Sequence, residues 1–468
     1  MASQRNDAHP PSVLRLGFAA GVGTSLEMYD FSIYGTAAAL VFGQVFFKTG
    51  DAWLGTFMSL ATFAIGFLMA PLGAAAFGWL GDRRGRRTAL FAAFTLMGLA
   101  TLGMGVLPSY AVIGVAAPLL LVGLRLLHGI ARGGESAGAA VFAVEHAPDR
   151  RRGLYGSFVA LGSPIGTVLA NLAFTFVLLL PEDDVTSWGW RIPFLAGAVV
   201  LVLGMWVRRG VAESPVFERM AATQERAKRP LAEVVRTNWR RLALIAGVNI
   251  GLTASTFALV TFMLSYATSR APEGLGLPRQ PIVNGSMIAL LGHALANVGA
   301  AWLSDRIGRK PVMLTGAALS LVSALAMFPI AATGTVAAVN TATILGFAAT
   351  GILFGPMYTY FSELFPREQR QSGVGVGYHV GAVLGGGISP MIANRIVAGT
   401  GDAHNVGYYL AGLLALSLLC LLLLPETAPA RTHDVSGTTA DALARTKPVV
   451  TPARHAHGSS SSRADTTR

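Results

Sequence analysis

The chain has 468 residues, of which 53% are hydrophobic and only 13% charged, with a mean hydropathy of +0.54. A water-soluble domain carries roughly twice that charged share. The composition therefore excludes a soluble globular protein and suits a polytopic membrane protein, in which about twelve spans of ~20 residues fit the length. The net charge of +12 would also suit a nucleic-acid partner. The basic residues, however, sit in short loops between apolar runs, so the lipid bilayer is the expected partner and nucleic acid is not.

Met1 to Ser12 are polar and are followed by no short apolar segment with a cleavage site, so the first apolar run is expected to be a permanent span. Apolar runs fall at 17–45, 54–77, 88–107, 112–142, 154–180, 190–207, 242–268, 283–303, 311–331, 336–361, 373–398 and 406–424. Each is long enough for a transmembrane helix. The expected fold is an all-α membrane protein of twelve spans, with both termini on one side. Arg83, Arg84, Arg86 and Arg87 follow run 2, Arg150 to Arg152 follow run 4, and Arg306, Arg309 and Lys310 follow run 8. The alternate loops are sparse in Arg and Lys, which puts the termini in the cytoplasm. The expected organisation is a bundle over 1–207, a charged cytoplasmic linker over 208–241, a second bundle over 242–427 and a disordered tail over 428–468. The one cysteine, Cys420, excludes an internal disulfide.

The first and second halves repeat. GWLGDRRGRR at 78–87 matches AWLSDRIGRK at 301–310, and Asp82, Trp79 and Arg86 each have a partner 223 residues on. Glu145, Pro148 and Arg152 share their spacing with Glu363, Pro366 and Arg370. Two matches at nearly one offset indicate parallel six-helix repeats, an arrangement suited to alternating access around a site near the membrane midplane. Positive-inside charge accounts for the arginines of these loops but not for the matched carboxylates. The carboxylates are expected to bridge helices at a cytoplasmic gate made of Asp82, Arg83, Arg86, Glu145 and Arg152 in one half. Asp305, Arg306, Arg309, Glu363 and Arg370 would form the other half's share.

Run 4 reads LLLVGLRLLHGIARGGESAGAAV, and spacings of 3, 4 and 3 put Arg125, His128, Arg132 and Glu135 on one helical face. An ionised side chain at mid-bilayer costs about 2.5–3.5 kcal/mol on insertion scales, so this stripe is expected to face a wet cavity or partners on other helices. A static network in which Arg132 pairs with Glu135 is the competing reading. Arg125 is the best candidate to hold an anionic group, because its planar donor fork matches a carboxylate. In run 1, Gly23, Glu27, Asp30 and Tyr34 share a face. A carboxylate in an apolar wall can exchange protons near neutral pH, so Glu27, Asp30 and Glu135 are the proton-coupling candidates. Asn249, Tyr358 and His379 are weaker substrate candidates, since each could equally be an interhelical hydrogen bond. His379 lies in a row with Gly373, Gly377, Gly381 and Gly385, which reads first as close helix packing. No nucleotide-binding loop, metalloprotease motif or Cys/His cluster is present. The expected protein is no enzyme, needs no cofactor or metal, and draws on the proton-motive force.

The sequence resembles the major facilitator superfamily and, within it, the metabolite:proton symporter family. The resemblance rests on the loop signature Gly78 to Arg87, the run-4 signature beginning at Arg125, and RLLHGIARGGE (125–135), EHAPDRRRGLYGS (145–157), WGWRIPF (188–194), ESPVF (213–217), SELFP (362–366) and RQSGVGVGY (370–378). It implies a bacterial inner-membrane symporter that works as a monomer and takes up a small organic acid such as shikimate, 2-oxoglutarate or citrate, or a zwitterion such as proline or betaine. Export of a drug or secondary metabolite by proton antiport is the alternative; GSPIG (162–166) lacks the fuller antiporter signature. His128 and Arg132 depart from the family pattern and surround the expected cavity.

Overall fold

The computed structural model describes residues 13–84, 86–133, 144, 147–209, 230–270, 274–366 and 370–428. The described helices make twelve traversals. In the first half these are α1 (Val13–Leu40), α2 (Ala52–Leu68 and Ala70–Arg84), α3 (Arg86–Val106), α4 (Ala116–Gly133), α5 (Arg152–Val177) and α6 (Arg191–Arg209). In the second half they are α7 (Pro230–Phe257, continuing to Thr268), α8 (Arg279–Ile307), α9 (Arg309–Ala331), α10 (Val336–Phe354 and Met357–Glu363), α11 (Arg370–Ala382, continuing to Thr400) and α12 (His404–Leu423). Nine of the described helices meet both the length and the hydropathy needed to cross a bilayer by themselves. Helices are the form that leaves no backbone polar group unmet in lipid.

Packing repeats with a shift of six helices. α1 lies against α5 as α7 lies against α11; α2 against α4 as α8 against α10; α3 against α6 as α9 against α12. The sequence repeat is thus a repeat of contacts. Small residues set the closest crossings. Gly162 and Gly166 of α5 have no room for a Cβ beside Thr24, Ser25 and Met28 of α1, so the GSPIG stretch is where those two backbones meet. The outward faces are apolar. On α8, Ile288, Leu291 and Leu295 are exposed while His293 and Asn297 are buried, so one stripe meets lipid and the other the bundle.

The halves meet along α5–α8, α2–α11 and α1–α7. Two π-helical segments, Ala258–Phe262 in α7 and Val383–Gly387 in α11, lie in that seam, the first against α1 and the second against α2. Such bulges re-aim side chains and break regular packing at sites of function.

The helix boundaries depart from the sequence expectation in places. α7 begins at Pro230, with a non-helical Asn238 marking a kink, so part of the expected linker is helix; 210–229 lies outside the described residues. Leu424 to Ala428 continue past α12 as packed chain, while 429–468 lies outside the described residues.

Candidate functional site

The centre of the molecule is built by α1 and α4. Arg132 Nε donates to Glu27 Oε1 at 2.7 Å, with both side chains 1% exposed. Arg132 is therefore paired with another helix; Glu135, the other partner the sequence offered, lies outside the described residues. Two guanidinium groups crowd one phenyl ring: Arg125 Cζ is 4.5 Å and Arg132 Cζ 4.2 Å from the Phe31 centroid. Arg125 also stacks on Tyr34 at 4.0 Å, and Tyr34 hydrogen-bonds Thr62 at 2.6 Å. Gly66 of α2 makes the space: a Cβ there would come within 2.6 Å of Arg125 Nε.

Arg125 is fully buried, yet it has no carboxylate within ion-pair distance among the described residues. Its Nε and Nη2 have no hydrogen-bond partner, and Nη1 reaches only His128 Nδ1 at 3.3 Å. Arg132 Nη1 and Nη2 are likewise unpartnered among the described residues. Buried charges are ordinarily paired, because an isolated one carries a desolvation cost of several kcal/mol. Asp30 does not complete the set. It lies beside Gly197 and Thr101, towards α6 and α3, and acts on Arg125 only at longer range. The sequence placed Glu27, Asp30 and Tyr34 on one face; the structure separates Asp30, because its position is turned from Glu27 by about 60° of helix.

The second half supplies neutral groups. The Tyr358 and Tyr378 rings lie with centroids 5.8 Å apart, and both are within electrostatic reach of Glu27 and Arg132. His379 sits within reach of Arg132, and both its ring nitrogens are unpartnered. Asn249 donates to the Tyr378 carbonyl at 2.7 Å, so it ties α7 to α11 rather than facing the charged cluster with its amide nitrogen. Phe257 of α7 closes the centre, packing against Phe31, Phe63 and Phe67 of the other half at 5.0–5.7 Å. The sequence led us to expect a water-accessible centre. In this conformation the charged groups are sealed, with Arg125, His128, Arg132 and Glu27 all at 0–1% exposure. Phe31, Phe257 and Tyr378 were missed, since an aromatic in an apolar run carries no signal of its own. Phe31 alone could have been found, four residues after Glu27 on the same face.

A second cluster lies where α8 turns into α9. Asp305 accepts from the backbone N–H of Gly153 and Leu154 at 2.8 and 3.0 Å, so a carboxylate of the second half caps α5 of the first. Arg309 Nη1 donates to Asp305 at 2.5 Å and to Ser304 at 3.0 Å, and Nε and Nη2 reach Glu363 at 3.4 Å. Thr359 Oγ1 donates to the Arg152 carbonyl across the same seam. Glu426 accepts from the N–H groups of Arg309 and Lys310, capping α9, and Thr427 donates to Glu363 at 2.6 Å. Gly308 has φ +105°, and a Cβ on it would meet the Glu426 carboxylate at 2.6 Å. Asp305, Arg309 and Glu363 thus come together as expected from their spacing. Arg306 does not join them; it is exposed and stacks on Trp302 at 3.7 Å. Arg152 and Arg370 are the first residues of α5 and α11. The side chains of Asp82, Arg83, Arg86 and Glu145 lie outside the described residues. Glu426 and Thr427 were not foreseen, because they fall just past the last apolar run.

Comparisons agree with this architecture. Residues 16–241 match the family described as sugar (and other) transporter, and residues 283–456 the Major Facilitator Superfamily. The chain is 40% identical over 408 residues to the inner membrane metabolite transport protein YhjE of Escherichia coli K12, covering 87% of this chain and 92% of that one. It is 36% identical to the shikimate transporter of the same strain, covering 87% and 94%. It is 30% identical to the proline/betaine transporter of Salmonella typhimurium LT2, covering 88% and 83%. A solved structure of the proton:xylose symporter XylE superposes with a TM-score of 0.70 at 20% identity, covering 89% and 96%, a likeness of fold.

The chain belongs to the major facilitator superfamily, among its metabolite transport proteins. It is a multi-pass inner-membrane transporter of small molecules and not an enzyme.

Proposed function

We propose that this transporter takes up a small organic acid together with a proton, acting as a monomer with both termini in the cytoplasm. The observation that carries the reading is Arg125: a fully buried guanidinium with two unpartnered donor nitrogens and, among the described residues, no ion-pair partner. A substrate carboxylate supplies the missing charge, and the donor fork suits its geometry. Glu27 is the proton carrier in this reading. Its pair with Arg132 is the contact that would open as the proton is exchanged. A monoanion entering with one proton moves no net charge, so the pH gradient drives it.

The two halves rock about this centre. The Asp305–Arg309–Glu363 cluster holds the cytoplasmic end shut by gripping the first turn of α5, and releases it in the inward-facing state. Radiolabelled organic-acid uptake into proteoliposomes, with an imposed gradient acid outside, tests the reading. Accumulation that collapses with an uncoupler supports it. Uptake indifferent to the uncoupler overturns it.

A further inference from the structure

Three basic side chains stand at the α8–α9 turn, and the protein's own groups engage two of them. Arg309 gives its donors to Asp305, Ser304 and Glu363. Lys310 Nζ donates to the carbonyls of Leu422 and Leu424 at 2.8 Å, closing the end of α12. Arg306 is the third. Its Cζ lies 3.7 Å from the Trp302 ring centroid, and its guanidinium has no ion pair or hydrogen bond among the described residues. Stacking occupies the flat face of a guanidinium and leaves its in-plane N–H donors open. The neighbouring carboxylate, Asp305, is already engaged by Arg309 and by the N–H groups of Gly153 and Leu154.

Arg306 stands at the foot of a lipid-facing stripe. Ile288, Gly292, Leu295, Gly299, Trp302 and Arg306 follow at spacings of 4, 3, 4, 3 and 4, so they run along one face of α8. Ile288, Leu295, Trp302 and Arg306 are exposed, and nothing stands within 4 Å of where a Cβ would sit at Gly292 or Gly299. From Gly292 to Trp302 the helix rises about 15 Å, one leaflet's share of a ~30 Å hydrocarbon core. Tryptophan favours the boundary between hydrocarbon and headgroups, and an arginine one turn further reaches the depth of the phosphates. The face thus offers an apolar track, a ring at the boundary and an open cationic fork beyond it.

We propose that this end of α8 binds an anionic phospholipid, with its phosphate on Arg306 and an acyl chain along the face that runs back to Gly292. The non-bridging oxygens of a phosphodiester match the donor fork and bring the negative charge that Arg306 lacks. A zwitterionic lipid carries its own ammonium beside the phosphate and gains less. A soluble phosphate has no chain to lay on the apolar face. Arg306 adjoins Asp305, so the lipid sits on the half that carries the gate cluster, one residue from the carboxylate that caps α5. A second exposed pair, Arg240 and Trp239 at the start of α7, holds its guanidinium 5.5 Å from the ring and provides a comparison of equal charge.

The test is native mass spectrometry of the purified full-length protein titrated with dioleoylphosphatidylglycerol or dioleoylphosphatidylcholine, which differ only in the headgroup. The expected result is that the tightest phosphatidylglycerol adduct forms at least about 5-fold more tightly than its phosphatidylcholine counterpart, the gain of one arginine at an anionic surface. R306Q abolishes that ratio, R240Q leaves it in place, and excess inorganic phosphate does not displace the lipid. A ratio unchanged in R306Q overturns the proposal. An equal fall in R240Q also overturns it, because the preference would then belong to the basic surface at large and not to this site. Displacement by inorganic phosphate would assign Arg306 to a soluble anion and overturn the lipid as its occupant.

Discussion

Arg132 reaches across from α4 to Glu27 on α1, a separation of 105 residues, through one hydrogen bond at 2.7 Å between side chains that are each 1% exposed. Seven residues earlier on the same helix, Arg125 is equally buried and has no such carboxylate among the described residues. Two arginines on one face therefore stand in opposite electrostatic situations, and their replacement has opposite consequences.

Removing Glu27 strands Arg132. E27A is expected to destabilise the purified protein by about 3–5 kcal/mol, the cost of breaking a buried pair from one side. The thermal unfolding midpoint reads this as a clear fall. E27A/R132M is expected to recover most of it. A double variant no more stable than E27A would show that the pair is not what couples the two positions.

Arg125 behaves otherwise. R125M replaces an unpaired buried charge by an apolar chain of similar length, which is neutral or stabilising where no partner is left behind. The midpoint is expected to hold or rise while acid transport is lost. A midpoint that falls as far as that of E27A would mean that Arg125 has a structural partner.

Asp305 caps α5 across the seam between the halves, so D305A is expected to loosen that end. Hydrogen bonds to a charged group contribute about 1.5–3 kcal/mol, enough for a roughly 10- to 100-fold change in the open population. Ser157, fully buried one turn beyond Gly153, reports it. In a C420S background, alkylation of S157C in membranes is expected to speed up by that order in D305A. An unchanged rate would remove Asp305 from the gate.

Gly308 allows the α8–α9 turn twice over, by its φ of +105° and by leaving room for the Glu426 carboxylate. G308A is expected to cost about 1–3 kcal/mol in stability from the backbone alone. E426A/G308A relieves the contact but not the backbone, so its midpoint should lie between that of G308A and wild type only if the clash matters as well.

Much of this was legible in the chain itself. The twelve spans follow from run length and from where arginines stop, because the bilayer imposes both rules on every span. The repeat of 78–87 at 301–310 is visible because turns with a capped helix start tolerate few residue types, as Gly308 and Asp305 illustrate. Arg125 and Arg132 stood out because a charge in an apolar run is rare and costly. Partner choice was not legible. Whether Arg132 bonds Glu135 three residues on or Glu27 on another helix depends on crossing angle and side-chain reach. Asp30 was placed with Glu27 by coarse spacing, and the actual turn of α1 carries it towards Gly197. Phe257 and Tyr378 complete the centre from the other half, and nothing in an apolar run marks an aromatic that faces a charge rather than lipid. Glu426 was out of view because hydropathy ends the helix before it.

The most direct test of the central claim, that the unpaired guanidinium of Arg125 seats the substrate's carboxylate, is calorimetric titration of purified wild-type protein and R125M with a panel of monocarboxylic acids. The account predicts that at least one acid binds the wild type and that R125M, folded and equally stable, binds it at least about 30-fold more weakly, as the loss of a buried charge partner implies. Binding of equal strength in R125M would contradict it.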